Sequence, residues 1–285
     1  MNLPQFYIDD IIKKAITEDI NYIDVSTDLL IPPQQKGAAK FLAKADGVLC
    51  GLPVALRVFE LLDESFSAII YKNDGDKVKQ GDIIAELSGK TAMLLKGERT
   101  ALNLIQHMSG IATATAQSVE LTKGTNATIA DTRKTIPGLR ALQKYAVTCG
   151  GGKNHRFNLS DAAMLKDNHI DAGGGIENAV LIVRSKLGHT VKIEVETRNL
   201  DEVQQAINAG VEIIMLDNMD NETMKKAVEI VNGRAKLEAS GGITLETISD
   251  VAKTGVDIIS IGALTHSVRA FDISMKIAKP HSVGF

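Results

Sequence analysis

The chain has 285 residues, 44% of them hydrophobic, with a formal net charge of −3 and a pI near 6.1. Such a composition is that of a soluble globular protein able to bury a sizeable core, as one large domain or a barrel with a smaller companion, and it lacks the basic signature of nucleic-acid or anionic-membrane binding. No apolar run approaches the ~20 residues of a membrane span, and MNLPQFYIDD is not a basic segment followed by an apolar one, so a cytoplasmic location with no membrane partner is expected.

In chain order, AAKFLAKADGVLCG (38–51), SAIIYKN (67–73) and DIIAELSG (82–89) read as strands separated by helices. They predict an N-terminal α/β domain over residues 1–110, rejoined by the C-terminal segment 272–285. Cys50 and Cys149 are the only cysteines; they form no C-x-x-C and no zinc spacing, which predicts two reduced thiols. A long helix is expected from about Glu98 to Lys123, with Ala101, Leu102, Ile105, Met108 and Ala112 near a 3.6 period. On that reading Arg99 stands in the first helical turn, where the macrodipole makes a cation unfavourable by roughly 0.3 to 1 kcal/mol.

From about residue 127 short apolar runs alternate with helical patterns, the signature of βα units, and predict a barrel domain over 111–271. The six strand candidates are ATIAD (127–131), AAMLK (162–166), VKIEVE (191–196), EIIMLD (212–217), AKLEAS (235–240) and VDIISIG (256–262). Asn199 and Asp220 are expected as N-caps, and Gly188, Gly210, Gly233 and Gly255 as helix-ending glycines.

Parallel barrel strands are buried on both faces, so polar residues in them call for a reason. Here they gather at the carboxyl ends: Asp131 with Arg133 and Lys134, then Lys166, Glu196, Asp217 with Asn218, Ser240 and Gly262. In a (β/α) barrel that end carries catalysis. Alternation in VKIEVE sets Lys192, Glu194 and Glu196 on one, inward side, and buried carboxylates need facing cations. These are at hand in Arg133, Lys134, Arg140, Lys144, Lys153, Arg156 and Lys166, with His155 and His169, a run broken by Pro137-Gly138 and Gly150–Gly152 at loop positions. The pattern favours a pocket for a highly anionic ligand. Ser240-Gly241-Gly242 and Gly262-Ala263 follow the last two strands, where barrels hold a phosphate on backbone N–H groups.

The stretch DTRKTIPGLRALQKYAVTCGGGKNHRFNLSDAAMLKDNHI (131–170) closely resembles the quinolinate phosphoribosyltransferase family, and GERTALN (97–103), EVE (194–196), MLDN (215–218), EASGGI (238–243) and SIGALTHS (260–267) match in the same order. The resemblance implies an α/β fold: an N-terminal α/β sandwich followed by an incomplete six-stranded (β/α) barrel. It implies transfer of phosphoribosyl from phosphoribosyl pyrophosphate to quinolinate with decarboxylation, giving nicotinate mononucleotide for NAD synthesis. Arg99, Arg133, His155, Arg156 and Lys166 would hold quinolinate's carboxylates, with Lys134 near the reacting centre. Glu196 and Asp217 would face the ribose and the Mg²⁺ that accompanies pyrophosphate, and Ser240, Gly241, Gly242, Gly262, Ala263 and His266 would bind the phosphoribosyl moiety. Lys134, Lys166, Glu196 and Asp217 would be the catalytic set. No organic cofactor and no nucleic acid is expected; a homodimer, or an oligomer of dimers, with shared sites is, Arg99 reaching the neighbouring subunit's barrel.

Relatives on the same fold, nicotinate phosphoribosyltransferase or a barrel paralogue associated with molybdate uptake, lack a reason for the intact KDNHI and the full cation set. A Schiff-base aldolase would use Lys166 and the same phosphate turns, and borohydride trapping separates it. DGDKVKQGD (74–82) is similar to a turn of lipoyl and biotinyl carriers, but Lys44 in LAKADG is a poor match for a carrier lysine, and a structural role is expected.

Overall fold

A computed structural model of the chain describes residues 3–278; the part of the expected C-terminal segment beyond 278 lies outside the described residues. The chain runs α1 (Gln5–Asp19), α2 (Val25–Leu30), β1 (Lys36–Ala43), β2 (Gly47–Val48), α3 (Leu52–Leu62), β3 (Ser67–Ile70), β4 (Lys77–Val78), β5 (Ile83–Lys90) and α4 (Thr91–Glu120). It continues β6 (Thr128–Ala130), α5 (Arg140–Cys149), β7 (Ala163–Leu165), α6 (Asp167–Ala172), α7 (Ile176–Arg184), β8 (Ile193–Thr197) and α8 (Leu200–Asn208). It closes with β9 (Ile213–Asp217), α9 (Asn221–Val231), β10 (Lys236–Ser240), α10 (Ile248–Ala252), β11 (Ile258–Ser260), α11 (Ala263–His266) and β12 (Ile273–Ile277). Among the described residues no helix is long and apolar enough to cross a membrane.

Two compact units emerge. Of the described residues, the first takes those within Met1–Ala116, Ile136–Gly151 and Ser267–Phe285, and the second Gln117–Thr135 and Gly152–His266. Residues 136–151, which the sequence reading set in the barrel domain, thus pack with the first unit.

The first unit carries an antiparallel sheet of order β12-β1-β5-β3 and a small β2-β4 pair. In the second half of β1 buried and half-buried residues alternate, as in a strand with one face on the core. Phe41 and Phe59 are fully buried there, their ring centroids 6.2 Å apart, and Phe66 stacks on Phe59 at 5.4 Å. The 74–82 segment has a structural role. Asp74 Oδ1 accepts from Leu52 N–H and its Oδ2 from Gly51 N–H, both at 2.9 Å, so a side chain from a distant loop caps α3.

The long helix begins earlier than the sequence reading had it. It starts at Thr91, so Arg99 lies in its third turn, clear of the N-terminal dipole, and the expected electrostatic penalty is absent. Gly97 is thus interior to α4, where glycine costs about 1 kcal/mol. It sits inside α4 because a Cβ there would meet the Phe59 ring at 2.7 Å.

The second unit is a parallel sheet of order β6-β11-β10-β9-β8-β7. β6 and β7, adjacent in the chain, do not pair, so the ring of six strands stays open between them: an incomplete (β/α) barrel. All six expected strands form, and β8 is buried at four of its five positions, as a strand covered on both faces should be. Asn199 and Asp220 cap α8 and α9 by accepting from Glu202 and Thr223 N–H. Gly210, Gly233 and Gly255 have positive φ just past their helices. Gly188 does not serve this way: α7 ends at Arg184 with Ser185 as its C-cap. Lys192 precedes β8 and is exposed, so only Glu194 and Glu196 of the expected inward trio turn toward the interior.

Candidate active site

The carboxyl ends of the six parallel strands surround a cavity of about 780 Å³ within the second unit. Of the residues singled out from the sequence, Arg133, Lys134, His155, Arg156, Lys166, Glu196, Asp217, Ser240, Gly241, Gly242, Gly262, Ala263 and His266 line it. Arg99 does not; it belongs to the first unit, where it is exposed and makes no ion pair among the described residues. The basic run also divides. Arg140, Lys144 and Lys153 are not among the lining residues, and Lys144 is fully buried in the first unit.

Local structure explains how these side chains are held. Asp131, fully buried at the end of β6, accepts from His155 N–H at 2.8 Å and from Asn154 Nδ2 at 2.6 Å, fixing the turn that presents His155 and Arg156. Arg156 N–H donates to His155 Nδ1 at 2.8 Å, and Arg156 Nη1 donates to Ala162 O at 2.8 Å. Burial, and then the neighbouring Arg133, hold the Arg156 guanidinium below its ordinary pKa, so an anion entering here is welcome. Lys166 is the N-cap of α6, where its backbone N–H donates to His169 Nδ1 at 3.1 Å, and its Nζ meets Glu196 Oε2 at 2.8 Å. His169 therefore acts on the site through the placement of Lys166.

On the other side, Asn218 adopts a left-handed conformation with φ 53°, donates its N–H to Ser240 O at 2.9 Å and its Nδ2 to Asp217 Oδ2 at 2.8 Å. Gly241, with φ 97°, leaves room for that side chain, which a Cβ would strike. A Cβ at Gly262 would lie 2.8 Å from Lys134 Cδ, so this glycine lets the lysine cross the end of β11. Thr265 Oγ1 donates to Lys134 O at 2.7 Å and fixes the same corner.

Beneath the cations lies a cluster that the strand reading did not single out. Glu194 and Glu238 are each 1% exposed, and His155 Nε2 lies 3.0 Å from Glu194 and 3.6 Å from Glu238. Since His155 Nδ1 accepts a hydrogen bond, its proton is on Nε2 and points at these carboxylates. Among the described residues, Glu194 Oε1 and Glu238 Oε1 have no hydrogen-bond partner and are buried. Burial, and then the charge of Glu194, push the Glu238 carboxyl up to about 7, His155 opposing. The alternation in KLEAS held the signal for Glu238, one apolar-run position set inward two residues before Ser240.

That shift has a consequence for stability. The folded pKa lies above the unfolded carboxyl value of about 4.3, so the folded state keeps a proton that the unfolded chain releases, and stability from this source falls as pH rises from about 4.3 to 7. Glu238→Gln removes the titration. Relative to the wild type, its Tm is expected to climb between about pH 4.3 and 7 and to level off above. Melting both proteins across that range checks it; a pH-independent difference contradicts it.

Among the described residues, His155, Glu194 and Glu238, and separately Cys50, Asp74 and Cys149, are grouped closely enough to share an ion. Glu196 and Asp217 offer a different arrangement, two carboxylates at the carboxyl ends of the paired strands β8 and β9, both on the cavity wall. Two such oxygen donors, with room for waters and ligand oxygens, fit Mg²⁺. The whole arrangement can bind polyanions through side-chain cations and glycine-turn amides, and can stabilise positive charge through Glu196 and Asp217.

Comparison with known proteins agrees with this architecture. Residues 24–109 match the family model described as "Quinolinate phosphoribosyl transferase, N-terminal domain", and 111–276 match its C-terminal domain. A Bacillus subtilis protein named "Probable nicotinate-nucleotide pyrophosphorylase [carboxylating]" is 46% identical over 91% of this chain and 90% of its own. A Nicotiana tabacum protein named "Quinolinate phosphoribosyltransferase [decarboxylating] 2b, mitochondrial" is 42% identical over 96% of this chain and 83% of its own. The crystal structure of NadC from Streptococcus pyogenes superposes with a TM-score of 0.95 at 43% identity, covering 98% of this chain and 99% of that one.

Proposed function

This chain belongs to the quinolinate phosphoribosyltransferase family, and on that premise we propose how its own residues perform the family's reaction. The enzyme is a pentosyltransferase of NAD synthesis: it transfers phosphoribosyl from phosphoribosyl pyrophosphate to quinolinate and releases carbon dioxide and pyrophosphate, giving nicotinate mononucleotide.

The observation that carries the residue assignment is the convergence of Arg133, Lys134, Arg156 and Lys166 on a cavity whose wall also bears Glu196, Asp217 and the glycine turns after β10 and β11. In this reading the cations take quinolinate's two carboxylates, and guanidinium forks suit these planar groups. His155 belongs to the set, yet its ring nitrogens are engaged with Arg156 N–H and Glu194, so a bond to the substrate requires release of one of them. Ser240, Gly241, Gly242, Gly262, Ala263 and His266 take the 5′-phosphate.

The pyridine nitrogen attacks the anomeric carbon as pyrophosphate leaves, and Glu196 and Asp217 stabilise the oxocarbenium character that develops. Glu196 and Asp217 would hold Mg²⁺, which when bound would supply neutralisation of the leaving group's charge. Once the nitrogen is quaternary, the 2-carboxylate leaves as carbon dioxide and its C–C electron pair remains at the ring carbon beside N⁺, where Arg133, Lys134, Arg156 and Lys166 add to its stabilisation until a proton from water completes nicotinate mononucleotide. No organic cofactor enters the scheme.

Arg99 completes the dicarboxylate pocket from a neighbouring subunit in a homodimer. Supporting this, Arg99 is exposed without an ion pair among the described residues, and Tyr22, Leu29 and Leu30 are 92%, 80% and 77% exposed, apolar surface of the kind that subunits cover. The lack of an apolar span in the sequence underlies the further proposal of a cytoplasmic location.

Substrate choice tests the pocket assignment. Nicotinate, with one carboxylate, leaves a buried cation unpaired, so kcat/KM for quinolinate is expected to exceed that for nicotinate by about a hundredfold or more. Comparable efficiencies would overturn the assignment of these cations to a dicarboxylate.

A further inference from the structure

Two cysteines 99 positions apart in the chain, Cys50 and Cys149, are brought together in the first unit, their sulfurs and a carboxylate oxygen of Asp74 all lying within 4.8 Å of one another. The approach is held from both sides. Cys50, in the loop that enters α3, is fully buried, and Ser109 of α4 clamps its backbone by accepting from Cys50 N–H at 2.9 Å and donating to Cys50 O at 3.0 Å. Cys149 is the last residue of α5, and Gly150 after it packs so tightly that a Cβ would run into Ala112 O. The catalytic scheme uses neither thiol.

A metal is the lesser use of this cluster. The Asp74 carboxylate is already committed to Gly51 N–H, Leu52 N–H and the Tyr145 hydroxyl, each at 2.9 Å, and ligating an ion would uncap α3. Two sulfurs within 4.8 Å of one another are near neighbours, and a disulfide would bring them to about 2.05 Å. They also differ in character. Cys149 is half-buried, and the hydrogen bond from Cys50, with Tyr145 assisting, lowers its pKa, whereas burial raises that of Cys50. A half-buried cysteine of lowered pKa beside a fully buried one is the arrangement of an attacking and a resolving cysteine.

We propose that Cys50 and Cys149 form a peroxide-oxidisable dithiol that closes to an intramolecular disulfide, joining the loop that enters α3 to the end of α5. The Cys149 thiolate attacks one oxygen of hydrogen peroxide; the O–O bond breaks, hydroxide leaves, and Cys149 becomes a sulfenic acid. Cys50 then gives its proton to the hydroxide just released and attacks the Cys149 sulfur, expelling the second hydroxide. Two electrons pass from the thiols to the peroxide, and with the two thiol protons the hydroxides become water.

The test treats the intact protein with a modest excess of hydrogen peroxide and maps its peptides without reduction. A Cys50–Cys149 cross-linked peptide, lost on adding dithiothreitol, is expected in the wild type. In Cys50→Ser, a Cys149 sulfenic acid trapped by dimedone should accumulate at least about tenfold over the wild type, because the resolving thiol is gone. Unchanged thiols, a Cys149 sulfinic acid without the cross-link, or disulfides only between molecules would overturn the proposal. The wild-type map decides the matter even if the serine variant does not fold.

Discussion

Glu196→Gln is expected to lower turnover about a thousandfold while quinolinate still binds, since losing one preorganised charge at a transition state typically costs 10²–10³ or somewhat more. Glu196 forms a 2.8 Å ion pair with Lys166, so two roles compete for it. If its work is on the ribose and the leaving group, the amide removes the charge that develops an interaction only in the transition state. Lys166, released from its pair, then remains available to a quinolinate carboxylate, and affinity holds or rises. If Glu196 instead serves to orient Lys166, the amide loosens that lysine and quinolinate affinity collapses. Calorimetric titration of quinolinate into the folded variant, beside steady-state turnover, separates the two. Retained binding with lost turnover is the predicted result; lost binding in a folded protein contradicts it.

Arg99→Ala and Lys166→Ala homodimers are each expected to be nearly inactive, and to recover activity when mixed after subunit exchange. With α4 beginning at Thr91, Arg99 carries no electrostatic penalty of a helix start. What remains is an exposed guanidinium without an ion pair among the described residues, in a chain whose cavity is lined by its own Lys166. If each site takes Arg99 from one subunit and Lys166 from the other, a heterodimer gathers both defects in one site and leaves its second site intact. Random equal mixing of two-fold dimers then gives about a quarter of wild-type activity. Exchange confirmed by native mass, with activity staying at the level of the separate variants, would mean that Arg99 serves its own chain's site or none.

Much of the barrel was legible because its physical demands leave marks in the chain. Strands covered on both faces must be apolar, so Lys166, Glu196, Asp217 and Ser240 at their carboxyl ends stood out, and Asn199 and Asp220 announced helix starts by their capping chemistry. Other features depend on packing partners that periodicity does not name. The start of α4 at Thr91 lies seven residues before the expected one, and Gly188 reads as a helix end although α7 stops at Arg184. Glu194 was expected inward, but its meeting with Glu238 and His155 joins residues on three separate segments. The Cys50–Cys149 approach was hidden for the same reason: the spacing rules for cysteine concern near neighbours in sequence, and these two are joined only by the fold.

The most direct test of the account is product stoichiometry. The purified enzyme, supplied with quinolinate, phosphoribosyl pyrophosphate and Mg²⁺, should form nicotinate mononucleotide, carbon dioxide and pyrophosphate in equal amounts, followed by chromatography of the nucleotide and release of label from the 2-carboxylate. Nucleotide that keeps both carboxylates, or no nucleotide from a folded enzyme under these conditions, would contradict it.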